Sequence, residues 1–186
     1  GQQGWAWLTF EDGLAAAIEY GVARESVYSS TFKKQQFEGG TSYAARRDAQ
    51  RHRIEQFNTS TGEQSHWELT RSDRVREWKT TLDQGWPVLM GMHVTEDYRR
   101  LAHDHPDPLP AARLPGDGDV LSEARHAAAV LGYAEDDATD GAFLVSDSRG
   151  ANFGDAGRWW LPYELVRTAF VIEAWTVRFI TYGYDD

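Results

Sequence analysis

The sequence predicts an α+β fold in which helices come first and an antiparallel sheet follows. Three features carry that expectation. Apolar residues in the first half recur at helical spacing, at Trp7, Phe10, Leu14, Ala17 and Ile18 and again at Val75, Trp78 and Leu82. The second half instead holds short apolar runs at 87–94, 127–133, 141–145 and 171–180, separated by turn-forming residues. The chain has 186 residues with eight Trp, eight Tyr and eight Phe, which suits one domain with a sizeable core, or two small lobes sharing a cleft.

Charge and composition narrow the partners. A net charge of −10 argues against nucleic acid and anionic membrane and mildly favours basic ligands. No apolar run approaches the ~20 residues that a membrane-spanning helix needs, and no signal peptide is recognised at the start. Cysteine is absent altogether, so the chain as it stands has no disulfide, no thiolate metal site and no thiol nucleophile. No cofactor motif is present, and no cofactor is expected.

In chain order, the first pattern predicts a helix from about 6 to 20. Glu11 and Asp12 lie near the positive end of its dipole, and Gly21 stops it. Residues 41–57 carry Tyr43, Ala44, Ala49, Ile54 and Phe57 among Arg46, Arg47, Arg51 and Arg53, which predicts an amphipathic helix with a solvated basic face. A polar loop over 58–65 and a short strand over 66–70 follow. Ser72-Asp73 opens another helix that Gly85 closes, and 87–94 reads as a strand. One more helical turn is expected over 95–101. His103, Asp104, His105 and Asp107 then open a Pro/Gly-rich surface excursion running to Gly118. Two histidines and two aspartates suggest a metal, but no secondary structure fixes a third ligand, so a polar loop is the better reading and no metal site is assigned.

The most informative stretch is 121–166. His126 opens an apolar run ending at Gly132-Tyr133, and a second run, 141–145, ends at Ser146-Asp147-Ser148-Arg149-Gly150. This predicts a β-hairpin with a base at the start of one strand and a carboxylate at the end of the other. His126 and Asp147 are 21 residues apart in sequence, and a hairpin brings such positions side by side. A carboxylate there can hold an imidazole in one tautomer and aim it at a nucleophile. A glycine-punctuated loop (Gly150, Gly154, Gly157) leads into Arg158-Trp-Trp-Leu-Pro-Tyr-Glu164. Trp159 and Trp160 read as core and cleft wall.

That stretch resembles the papain-like cysteine peptidases. In that family the catalytic histidine begins a strand reading His-Ala-(apolar)3-Gly-Tyr, and a later strand ends in Asn-Ser-Trp-Gly before Trp-Gly-x-x-Gly-Tyr. The counterparts are 126–133, 147–150 and 153–158, and 160–164 resembles the Trp-x-Pro-Tyr-Glu ending of bacterial relatives. Two positions depart: the orienting asparagine is Asp147, and the tryptophan that usually shields it is Arg149. The resemblance implies a papain-like fold in one domain, with a helical lobe over about 1–85, a β-rich lobe over about 86–186 and an active cleft between them.

In the family the first helix carries the nucleophile at its N-terminus, in Gln-Gly-x-Cys-Trp contexts, where the dipole and a nearby imidazolium lower the thiol pKa. Here Gln3-Gly4-Trp5-Ala6-Trp7 has alanine at that place. Ala6 therefore marks the position of a catalytic cysteine, removed by engineering or by evolution. A second register remains open: the family's oxyanion glutamine lies six residues before the cysteine, and Gln3 lies six before Thr9. With Ala6 as the nucleophile position, the oxyanion donor is Gln2 or Gln3 in a shifted geometry, or lies upstream. The resemblance thus implies peptide-bond hydrolysis through position 6, His126 and Asp147, with a peptide or protein substrate, a propeptide or an inhibitor as partner. The alternatives are a natural pseudo-peptidase that binds without cleaving and an acyltransferase on the same machinery.

Overall fold

The structure is a computed structural model that describes residues 9–29, 41–59, 71–95, 98, 125–135 and 140–181. These fall into two compact units, divided between Phe57 and Asn58 and again between Val177 and Arg178.

The smaller unit contains α1 (Phe10–Tyr20), α2 (Tyr43–Gln50) and β1 (His52–Thr59) as far as Phe57. Helix α1 begins where Thr9 caps it: the Thr9 hydroxyl accepts the Asp12 N–H at 3.1 Å and donates to the Asp12 carboxylate at 2.7 Å. Leu14 and Ala17 turn inwards. Gly21 ends the helix at φ 78°, and a Cβ there would lie 1.8 Å from the Ala49 carbonyl oxygen, so no other residue fits. Helix α2 is capped by Ser42 and buries Ala45 and Asp48. Asp48 accepts the Arg24 backbone N–H at 2.8 Å and its guanidinium at 3.0 and 2.7 Å. Those side-chain and backbone hydrogen bonds hold the Asp48 carboxyl below its ordinary value.

The single helix expected over 41–57 is corrected here: α2 stops at Gln50, and β1 follows at once. The His52 ring bonds the Asp48 carbonyl at 2.9 Å, and the His52 carbonyl accepts the Val22 N–H at 3.0 Å, so the chain leaves the helix towards the segment after α1. Arg53 is not part of a solvated basic face. Its Nε donates at 2.8 Å to the Ile18 carbonyl, one of the orphan acceptors in the last turn of α1. The start of α1 also differs from the expected 6, since Thr9 is the cap.

The larger unit holds α3 (Arg71–Asp83), β2 (Val88–His93), β3 (Arg125–Ala134), β4 (Ala142–Ser146), β5 (Arg158–Pro162), α4 (Tyr163–Val166) and β6 (Val171–Thr181) up to Val177. The strands stand in the order β6-β2-β3-β4-β5, each neighbour antiparallel. This is the expected α+β fold, and the β3–β4 hairpin forms as predicted. The proposed strand over 66–70 and the excursion from 103 to 118 lie outside the described residues, and of the 95–101 turn only 95 and 98 are described.

Register decides what the sheet presents. Met90 faces Ala128, Met92 faces His126, and Val130 faces Val145, which faces Trp159. Directly opposed residues share a face, so one face carries these together. At the α3 end that face is the core: Trp78 is fully buried and its ring lies 5.2 Å from Phe143. At the other end the face carries His126. Between Val130 and Gly132 the β3–β4 register shifts, leaving Leu131 as an extra residue that is 51% exposed.

The Trp78 Nε1–H is buried without a hydrogen-bond partner among the described residues. Trp78→Ala is therefore expected to lower the unfolding free energy by about 3–5 kcal/mol through the cavity it leaves. Trp78→Phe should cost clearly less, because it removes the unpaired N–H together with the second ring. Urea unfolding of both variants checks this, and equal losses would contradict it.

Candidate active site

The site is built at the end of the β3–β4 hairpin. His126 follows the first residue of β3, and Asp147 follows the last residue of β4. Alternation along each strand puts His126 on the face of Ala128 and Val130, and Asp147 on the face of Val145. Beyond β4 the chain turns tightly, and Asp147 N–H donates to the Gly157 carbonyl at 2.8 Å. Gly157 sits at φ 85°, where a Cβ would lie 3.3 Å from the Gly150 carbonyl oxygen. Glycine there lets the loop close against the aspartate's own backbone.

The structure brings the two sequence-predicted residues together. His126 Nε2 lies 3.0 Å from Asp147 Oδ1, with the Asp147 side chain fully buried and the imidazole 18% exposed. Asp147 is surrounded by donors. Its Oδ1 also accepts the Arg149 backbone N–H at 3.1 Å, and its Oδ2 accepts the Tyr98 hydroxyl at 2.8 Å and the Trp159 indole N–H at 3.3 Å. Burial alone would raise the Asp147 pKa. The hydrogen bonds from His126 and Tyr98, the His126 charge and the Arg149 N–H outweigh it and hold the carboxyl below its ordinary value. An ionised carboxylate only accepts, so the imidazole must donate from Nε2. Nδ1 is then the nitrogen left for chemistry, and it has no hydrogen-bond partner among the described residues. A histidine fixed this way can take a proton at Nδ1 and return it.

Aromatic rings pack round the pair. Tyr98 is fully buried, its ring centroid 5.4 Å from that of His126, 5.4 Å from Phe153 and 5.7 Å from Trp159. Burial, then the Asp147 hydrogen bond, push the Tyr98 pKa up, so its hydroxyl keeps its proton at neutral pH. Arg149, where the resemblance leads one to expect a tryptophan, lays its guanidinium 5.0 Å above the Tyr98 ring and 5.5 Å from that of Phe153. Its Nε donates to the Tyr98 hydroxyl oxygen at 3.0 Å.

Ala6, Gln2 and Gln3 lie outside the described residues. Thr9, the alternative nucleophile position, spends its hydroxyl on the cap of α1. Two participants were missed by sequence reasoning. Tyr98 is 49 residues from Asp147 in a segment without periodicity, and nothing local signals it. Trp159 lies in the core, as expected, and its indole N–H also serves Asp147. Among the described residues no cluster of three or more His, Asp or Glu is arranged to hold a metal ion.

No protein-family model matches the chain, and no curated protein sequence matches it. Solved structures do. The chain is similar to xylellain, a cysteine protease from Xylella fastidiosa, with a TM-score of 0.62 and 21% identity over 91% of this chain and 61% of that one. It is similar to digestive procathepsin L 3 of Tenebrio molitor larval midgut, with a TM-score of 0.58 and 15% identity over 94% of this chain and 48% of that one. It is also similar to the bromelain protease of Ananas comosus, with a TM-score of 0.52 and 14% identity over 89% of this chain and 67% of that one. The chain thus spans about three fifths of xylellain and about half of the procathepsin. At these identities the likeness is one of fold, and the chain has the papain-like fold.

Proposed function

We propose that the chain is a cysteine peptidase of the papain-like type whose nucleophile position, residue 6, holds alanine. The observation that carries this reading is the His126–Asp147 pair, with Nε2 committed to a buried carboxylate and Nδ1 without a hydrogen-bond partner among the described residues. In the reading, a thiolate at position 6 attacks a peptide carbonyl, and a backbone N–H at the helix start with Gln2 or Gln3 holds the oxyanion. His126 protonates the leaving amine and then activates water, and Asp147 orients the imidazole. With alanine at position 6 no acyl-enzyme forms, and what remains is binding of a peptide or protein substrate, a propeptide or an inhibitor. Procathepsin L 3 as a fold relative supports a propeptide as one such occupant.

A second reading has its own observation. The complete lack of cysteine among 186 residues favours a natural pseudo-peptidase that holds peptides without cutting them. Acyl transfer shares the acyl-enzyme with hydrolysis and differs only in what attacks it.

Installing cysteine at position 6, and separately at position 9, separates these. Ala6→Cys is expected to give a thiol that alkylates rapidly well below the ~8.5 pKa of a free thiol, and that slows when His126→Ala is added. The same behaviour in Thr9→Cys would move the nucleophile to position 9. Ordinary slow thiols in both would sink the peptidase reading and leave the binding module.

Asp147 gives a pH prediction whose sign is fixed by the order of protonation. Its folded carboxyl is held below 3.8, so on acidification the unfolded chain takes up the proton first. The stability it contributes is full above 3.8 and is lost as pH falls from there towards the folded value. The stability gap between the parent and Asp147→Asn, followed by urea midpoints from about pH 6 to about pH 2, should therefore narrow on the acid side. A gap that stays constant would mean the carboxylate is not held as an anion.

A further inference from the structure

We propose that Arg149 and Tyr98 are positioning residues for His126: Arg149 fixes the direction of the Tyr98 hydroxyl, and Tyr98 in turn fixes the carboxylate that holds the imidazole. The catalytic consequence rests on the peptidase reading above, whereas the hydrogen-bond geometry does not.

The argument is one of counting donors. A phenol has one proton to give and lone pairs to receive. The Tyr98 oxygen stands between Arg149 Nε at 3.0 Å and Asp147 Oδ2 at 2.8 Å. A guanidinium has no acceptor, so the Tyr98 proton cannot point at Arg149 and must point at Asp147. Oδ2 then holds the Tyr98 O–H and the Trp159 N–H, while Oδ1 holds the Arg149 N–H and the His126 Nε2–H. The carboxylate is saturated, and each donor is held by the next.

The same count explains why aspartate stands where the resemblance leads one to expect asparagine. Asparagine offers one oxygen and an NH2 group. In either amide orientation the NH2 would face two donors, at Tyr98 and Trp159 or at Arg149 and His126. Tyr98 cannot reverse its proton to relieve this while Arg149 donates to it. Asp147, Tyr98 and Arg149 are therefore specified together. The stacked guanidinium also lies over Tyr98 and Phe153, where it covers the aromatic side of the network.

The test uses the chain as it stands and needs no thiol. The His126 Nε2 proton is followed by nitrogen-edited NMR. Arg149→Gln and Tyr98→Phe are each expected to speed its exchange with water by about tenfold, the worth of one charge-assisted hydrogen bond. Arg149→Lys keeps the charge and, like arginine, donates without accepting, but it loses the planar stack, so exchange should rise less than in Arg149→Gln. Exchange within about twofold of the parent in Arg149→Gln would overturn the role of the arginine. Exchange in Arg149→Lys as fast as in Arg149→Gln would overturn the hydroxyl-orienting argument, since an ammonium also has no acceptor for the Tyr98 proton. Arg149 is exposed, so its variants carry the test should Tyr98→Phe fail to fold. In Ala6→Cys the same variants should slow alkylation severalfold. If the proton responds as expected while the position-6 thiol stays ordinary, the peptidase reading fails and the positioning network stands.

Discussion

At neutral pH the buried Asp147 carboxylate has no proton to offer, and the groups around it must all be donors. Four of them converge, from His126, Arg149, Tyr98 and Trp159. The imidazole is the one member with a choice of tautomer, and the carboxylate removes that choice. A neutral acceptor with one oxygen would satisfy only part of this shell, and each donor left over would carry a desolvation cost of about 1–3 kcal/mol. The identity of a single side chain thus sets the protonation pattern of its whole surroundings.

The sheet makes that convergence possible. His126 and Asp147 sit at the open end of a hairpin whose other end is pinned by Phe143, Trp78 and Tyr163, with Phe143 4.7 Å from the Tyr163 ring. Core packing and candidate chemistry thus share one face and one register. The loop after β4 is tied back on itself from Asp147 N–H to the Gly157 carbonyl and from Gly157 N–H to the Phe153 carbonyl, both at 2.8 Å. The loop therefore holds the backbone of the aspartate and, through the Arg149 N–H, supplies one of the four donors to its side chain.

What could be read in the sequence follows from how local each signal is. The hairpin, with His126 at one end and Asp147 at the other, shows in 21 residues because alternation and turn residues are local patterns. The α+β class is legible for the same reason. Tyr98 reaches Asp147 from 49 residues away, and no spacing rule links a lone tyrosine to a distant carboxylate. The departure at Arg149 is visible in the sequence, but its meaning depends on Tyr98 and so was not. The stretch 41–57 misleads because its apolar residues fit a helix as well as a helix followed by a strand. The outcome is decided by tertiary bonds, from Arg53 Nε to the Ile18 carbonyl of α1 and from the Val22 N–H to the His52 carbonyl. The basic residues there look like a charged surface, yet Arg53 serves to finish a helix.

The extra residue at Leu131 bears on how this chain tolerates change in length. A strand alternates with period two, so gaining or losing one residue between His126 and Val130 would swing the histidine to the opposite side of the sheet. Position 131 is different, because two residues there already oppose one on β4. Losing Leu131 would regularise the ladder and leave His126, Ala128 and Val130 facing as they do now. Drift in strand length is thereby channelled to one place: length variants of this hairpin that keep the histidine beside the aspartate should carry their change at the bulge or beyond it, never between the bulge and the base.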